Sequence, residues 1–113
     1  MYRRKAALAV SGEGIPLEHA SEGRTEEAFV EWYWAKRRKP RSVGRVYARA
    51  LTSIDRWLEE HGCSERFMGK GPFVKEPHAL LQRLKYDPDF RKLDERMLFA
   101  CEGAVEEYVI WIS

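Results

Sequence analysis

The stretch VGRVYARALTSIDRWLEEH, residues 43–61, carries the most regular hydrophobic pattern of the 113-residue chain. Its apolar side chains recur at steps of three and four, which is the spacing of one face of an α-helix. Pro40 ends any helix before it, Ser42 is a suitable N-cap, and Gly62 can close it in the left-handed conformation. The sequence therefore predicts a long helix over residues 43–61. The stripe consists of Val43, Val46, Tyr47, Ala50, Leu51, Ile54, Trp57 and Leu58.

A shorter helical pattern precedes it, over residues 26–38. Thr25 can cap this helix, and two acidic residues follow at the positive end of its dipole. Alternating apolar residues leave a strand over residues 30–34 as an alternative. Residues 1–24 are expected to form an arm or a short edge hairpin, because Gly12 and Gly14 permit turns and Pro16 removes a backbone donor. The apolar stripe of the predicted helix is Phe29, Trp32 and Tyr33.

Two further helices are indicated downstream, after an apolar loop over residues 63–75. Pro77 stands where a short helix rich in leucine begins. Asp87 can cap one further turn, and Asp94 can cap a last long helix over residues 95–112. The expected fold class is mainly α: one small bundle of four to five helices over residues 25–113, with the arm before it.

Composition and charge exclude several classes of protein. Apolar residues make up 44% of the chain and aromatic residues 12%, too many for a disordered protein. Lys and Arg number 20 against 18 Asp and Glu, so the net charge of +2 alone does not indicate nucleic-acid binding. Cys63 and Cys101 have no close spacing, and no apolar run of about 18 residues is present. We therefore expect a cytoplasmic protein with no membrane role.

The strongest charge feature is the basic block, defined as the seven cations within residues 36–49, a segment without any acidic residue. Arg41, Arg45 and Arg49 are spaced by four, so they would share one helix face and could contact successive phosphates of DNA. The alternative is a solvated face balanced by acidic residues of the first or last helix. The basic block consists of Lys36, Arg37, Arg38, Lys39, Arg41, Arg45 and Arg49. The acidic residues of the alternative are Glu26, Glu27, Glu31, Glu102, Glu106 and Glu107.

Two tryptophans are candidates for an interaction surface. Trp34 and Trp111 lie off the best helical stripes, and exposed aromatic residues are common at interfaces. The alternative is that both belong to a wide aromatic core.

No catalytic or metal site is predicted. His61, Cys63 and His78 lack the spacing of a zinc site, and residues 69–72 lack the frame of a phosphate-binding loop. No nucleophile and base can be paired from the sequence. We therefore expect no enzyme activity, no cofactor and no small-molecule substrate.

Two groups of residues carry family resemblances. The first group spans residues 42–112 and combines a stripe in the long helix, a leucine-rich helix, an Asp-Pro-x-Phe turn and an aromatic last turn. Its members are Tyr47, Leu51, Ile54, Leu80, Leu81, Leu84, Asp87-Pro88-Asp89-Phe90 and Tyr108-Val109-Ile110-Trp111. This pattern resembles the helical module at the amino-terminal side of bacterial restriction endonucleases of the HNH and Mcr types.

The second group lies within residues 27–62. It consists of Phe29-Val30-Glu31-Trp32, Tyr47-Ala48-Arg49-Ala50-Leu51 and Trp57-Leu58-Glu59-Glu60-His61-Gly62. This pattern resembles the first two helices of the core-binding domain of tyrosine recombinases. The resemblance implies that Arg41, Ser42 and Arg45 contact the DNA backbone, while the recombinase chemistry does not carry over.

Two functions follow as expectations. The first is a non-catalytic accessory module that binds the DNA backbone weakly and without sequence specificity through the basic block. The second is a protein-interaction or self-association module of a mobile-element or defence-associated protein, with no role in binding nucleic acid.

Overall fold

The computed structural model describes residues 23–113, so the predicted arm lies outside the described residues except for Gly23 and Arg24. The helices are α1, Glu26–Arg37; α2, Arg41–Glu60; α3, Pro77–Lys85; and α4, Glu95–Ile112, with a 3₁₀ turn at Phe90–Lys92. No sheet forms in this part of the chain, and the mainly α bundle is confirmed. The strand alternative is wrong, because residues 30–34 lie inside α1.

Side-chain caps mark the start of two of the four α-helices. The Thr25 hydroxyl accepts the backbone N–H of Ala28 at 3.0 Å, and the Asp94 carboxylate accepts two N–H groups of the first turn of α4. The Asp87 carboxylate caps the 3₁₀ turn in the same way. These satisfy amides that have no partner within their own helix. The predicted cap at Ser42 is wrong, because α2 begins at Arg41 with Pro40 before it.

The central helix is α2, which packs against both α1 and α4. Its buried face differs from the predicted stripe in the first two turns, where Val43 is 37% and Val46 54% exposed. Gly44 and Ala48 are buried there instead. A Cβ at Gly44 would lie 3.0 Å from the ring of Tyr33, so the absent side chain lets α1 approach closely. The small residues therefore face α1 in these turns, and the two valines are exposed.

The loop over residues 61–76 packs against the helices, and it contributes buried side chains to the core. The two oxygens of the Asp55 carboxylate accept the N–H groups of Phe67 and Met68, at 2.6 and 2.8 Å. The buried Tyr108 hydroxyl donates to the Phe67 carbonyl at 2.7 Å and accepts from the Arg24 guanidinium at 2.7 Å. Arg24 also exchanges two backbone hydrogen bonds with Gly69. Arg24, which the sequence placed in the arm, is thus part of the bundle.

Candidate nucleic-acid interface

The basic block occupies one corner of the bundle. It comprises the last turn of α1, the link over residues 38–40 and the first three turns of α2. Since these two helices pack against each other and the link joins them, the residues of the basic block lie at the same end of the helix pair.

Two arginines of the basic block are held by carboxylates. The Arg37 guanidinium donates two hydrogen bonds to Glu107 of α4, at 2.7 and 3.1 Å. The Arg41 guanidinium donates two to Glu31 of α1, at 3.0 and 3.1 Å. The hydrogen bond from Arg41 lowers the pKa of Glu31, and the charge of nearby Arg45 lowers it further. The alternative drawn from the sequence, in which acidic residues of the first or last helix balance the basic block, therefore holds for Arg37 and Arg41.

The other five cations are exposed and form no ion pair with any residue between 23 and 113. They are Lys36, Arg38, Lys39, Arg45 and Arg49. Their charges have no carboxylate partner in this part of the chain, and Coulomb interactions between exposed charges act over roughly a Debye length of 8–10 Å.

Arg38 has an unusual backbone conformation. It follows α1 with φ 59° and ψ 38°, which is the left-handed region, and its N–H donates to the Tyr33 carbonyl. Glycine is the usual residue at this position of a helix end, because a Cβ there is sterically unfavourable by roughly 1–2 kcal/mol. The chain thus places a long cationic side chain where conformation alone favours glycine.

The two candidate tryptophans lie in different environments. Trp34 is 47% exposed, and the Arg41 guanidinium lies over its ring at 4.5 Å from the centroid. Trp111 is only 3% exposed and packs edge-on against Phe29, with ring centroids 5.3 Å apart. The assignment of Trp111 to an interaction surface is wrong, because the last turn of α4 packs its aromatic residues against α1.

A second exposed feature escaped the sequence analysis. Tyr86 is 79% and Phe99 89% exposed, and both line a cleft of about 490 Å³ between α3, the 3₁₀ turn and α4. Lys85 and Glu102 form an ion pair at the same cleft. In the last helix Met97, Cys101, Ala104 and Tyr108 recur at steps of three and four, and Phe99 lies outside this series, which was the available signal.

One of the residues considered for metal binding, His61, has structural partners. The His61 ring stacks on Trp57 with centroids 3.7 Å apart, and its Nδ1 lies 2.8 Å from the Trp57 carbonyl. Burial raises the pKa of the Cys101 thiol to about 11, so this cysteine is not an activated nucleophile. Between residues 23 and 113 there is no group of three or more His, Cys, Asp or Glu side chains placed to hold a metal.

None of the described helices combines the length and the apolar character that crossing a bilayer requires. Comparisons of the chain with family models, curated proteins and solved structures give no match.

Proposed function

We propose that this chain is a cytoplasmic, non-catalytic helical accessory module that binds nucleic-acid backbone weakly and without sequence specificity through the basic block. The observation that carries the proposal is the set of five exposed cations that have no carboxylate partner in the described part of the chain. Contacts from Lys and Arg to phosphates supply most of the affinity of non-specific binding.

Two features of the corner support an anionic ligand. Arg38 keeps its cationic side chain in a backbone conformation that favours glycine. The first turn of α2 has no acidic residue and no side-chain cap, so the positive end of its dipole adds to the same corner. The resemblance to the recombinase domain agrees in part: Ser42 and Arg45 are exposed, while Arg41 has Glu31 as its partner.

The expected strength of binding follows from counterion release. Each phosphate contact on duplex DNA contributes about −0.9 to the slope of log affinity against log salt concentration. Four contacts predict a slope of about −3.6, and five predict about −4.5. Non-specific dissociation constants of about 10⁻⁴ to 10⁻⁶ M are typical near physiological salt.

Charge reversal at the corner tests the proposal. The test variant is Lys39→Glu with Arg45→Glu and Arg49→Glu, which leaves the ion pairs of Arg37 and Arg41 in place. The measurement is fluorescence anisotropy of a labelled DNA duplex across a salt series, beginning at about 50 mM. We expect binding to be lost at every salt concentration, with unchanged thermal unfolding, because exposed charges contribute little to stability.

A matched control makes the same change of charge elsewhere. The control variant is Arg83→Glu with Arg91→Glu and Arg96→Glu, three exposed arginines outside the basic block. It should keep most of the wild-type affinity and salt slope. Equal loss in the two variants would show that net charge, and not this corner, drives binding. Absence of wild-type binding to both duplex and single-stranded DNA at about 50 mM salt would refute the proposed function outright.

The second candidate function is self-association through the cleft beside Tyr86 and Phe99. The observation that favours it is the exposure of both rings, which are the two most exposed large apolar side chains in the described residues. Aromatic side chains are enriched in protein interfaces. Sedimentation velocity over a wide concentration range tests it: a dimer that Phe99→Ser abolishes would support this function, and a monomer throughout would exclude it.

A further inference from the structure

A single exposed tryptophan lies within the basic block's corner. Of the four tryptophans, Trp57 and Trp111 are buried, Trp32 is half-buried and Trp34 is 47% exposed. Trp34 lies on the last turns of α1, two residues before the first cation of the basic block. Its ring contacts Arg41 of the basic block, and it lies on the same end of the α1–α2 pair as the unpaired cations.

The ring of Trp34 is also held in place. The Arg41 guanidinium lies 4.5 Å from the ring centroid, and Glu31 fixes this guanidinium with two hydrogen bonds. Contacts of this kind limit the orientations of the indole, and they leave nearly half of its surface open to a ligand. A held aromatic ring loses little conformational entropy when a second ring stacks on it.

We infer that the basic block takes an unpaired nucleic-acid strand, with Trp34 stacking against one of its bases. The inference rests on the proposed function and adds the class of ligand to it. Bases in a duplex are stacked on one another, so an exposed indole cannot reach their faces without separating them. Bases in a single strand are available, and each has a face that can stack regardless of sequence.

Electrostatic attraction alone predicts that the basic block prefers a duplex to a single strand. A duplex carries the higher charge density, with a salt slope of about −0.9 per contact against about −0.7 for single strands. A purely electrostatic corner therefore binds a duplex at least as well as a single strand. Stacking on a protein aromatic ring strengthens binding by about five- to 150-fold per base, which is enough to reverse that order.

The experiment compares a labelled oligo(dT), an oligo(rU) and a duplex of equal length at one salt concentration, with wild type and Trp34→Ala. We expect wild type to prefer both single strands over the duplex. Trp34→Ala should weaken binding to the single strands by about fivefold or more and leave duplex binding within about twofold. Phe99→Ala is the control, because it removes an even more exposed ring away from the basic block.

Tryptophan fluorescence gives a second readout, which is measured directly on the wild-type protein. Because Trp34 is the most exposed of the four indoles, single strands should quench wild-type emission more than a duplex does. Trp34→Phe should lose this quenching while keeping most of the affinity.

Three outcomes would contradict the inference. If Trp34→Ala weakens binding to single strands and to the duplex equally, the inference is overturned, since the ring would then act only by positioning Arg41. Duplex binding without single-strand preference would overturn it while leaving the proposed function intact, and no binding at all would end both.

Discussion

Removal of one buried hydroxyl should destabilise the whole bundle. Tyr108 is fully buried, and its hydroxyl joins the Phe67 carbonyl of the loop to the Arg24 guanidinium, both at 2.7 Å. The change Tyr108→Phe keeps the ring and its edge-on contact with Phe67, whose ring centroid is 4.9 Å away. It deletes only the oxygen, so the measured effect belongs to the hydrogen bonds.

The expected magnitude follows from the groups that lose a partner. A buried acceptor left without a donor costs about 1–3 kcal/mol, and the Arg24 guanidinium loses an acceptor as well. We therefore expect the free energy of unfolding to fall by about 2 kcal/mol. For a domain of this size, a loss of about 2 kcal/mol lowers the melting temperature by roughly 8–16 °C. Urea denaturation monitored by circular dichroism measures the first quantity, and a thermal scan measures the second.

The matched control is Tyr86→Phe, which deletes the same atom from a side chain that is 79% exposed. Its unfolding free energy should stay within about 0.5 kcal/mol of wild type, as for most surface substitutions. If Tyr108→Phe behaves like this control, then the Arg24, Tyr108 and Phe67 contacts do not stabilise the fold, and the reasoning is refuted.

Two further predictions concern the backbone of the corner and the loop. Arg38→Gly should unfold at or above the wild-type temperature, because it relieves the left-handed strain, and yet it should weaken duplex binding; unchanged binding would remove Arg38 from the site. Burial raises the pKa of Asp55 above its ordinary value, although the N–H groups of Phe67 and Met68 lower it. The folded chain therefore holds this proton more tightly than the unfolded chain, and the Asp55 contribution to stability declines as pH rises through its folded pKa. A carboxyl NMR titration of Asp55 at or below the ordinary aspartate value would contradict this.

Local signals predicted the helices well, since a cap acts within one turn of its own residue. Thr25, Asp87 and Asp94 each satisfy nearby amides, and Gly62 takes the left-handed conformation with φ 77°. Burial of the first turns of α2 could not be predicted in this way. It depends on how closely Tyr33 of α1 approaches, which is a property of the packed pair.

The sequence predicted which cations form the candidate site, but it did not predict which of them have ion-pair partners. Because the basic block is contiguous in sequence, its cations were identified without a structure. Which of them have acidic partners depends on tertiary contacts, since Glu107 lies 70 residues from Arg37. Trp111 was misplaced for the same reason, because its burial depends on the approach of Phe29 from the other end of the chain.

The hydrogen bond between Arg24 and Tyr108 joins residues 84 positions apart, and this separation constrains the order of folding. Adjacent helices such as α1 and α2 can pair early, because the chain between them is short and its closure costs little entropy. The Phe67 carbonyl of the loop accepts its hydrogen bond from Tyr108 only after α4 has been synthesised and has packed onto the bundle. A nascent chain that stops before α4 should therefore expose the apolar side of α2, which α4 covers in the folded bundle, and depend on chaperones.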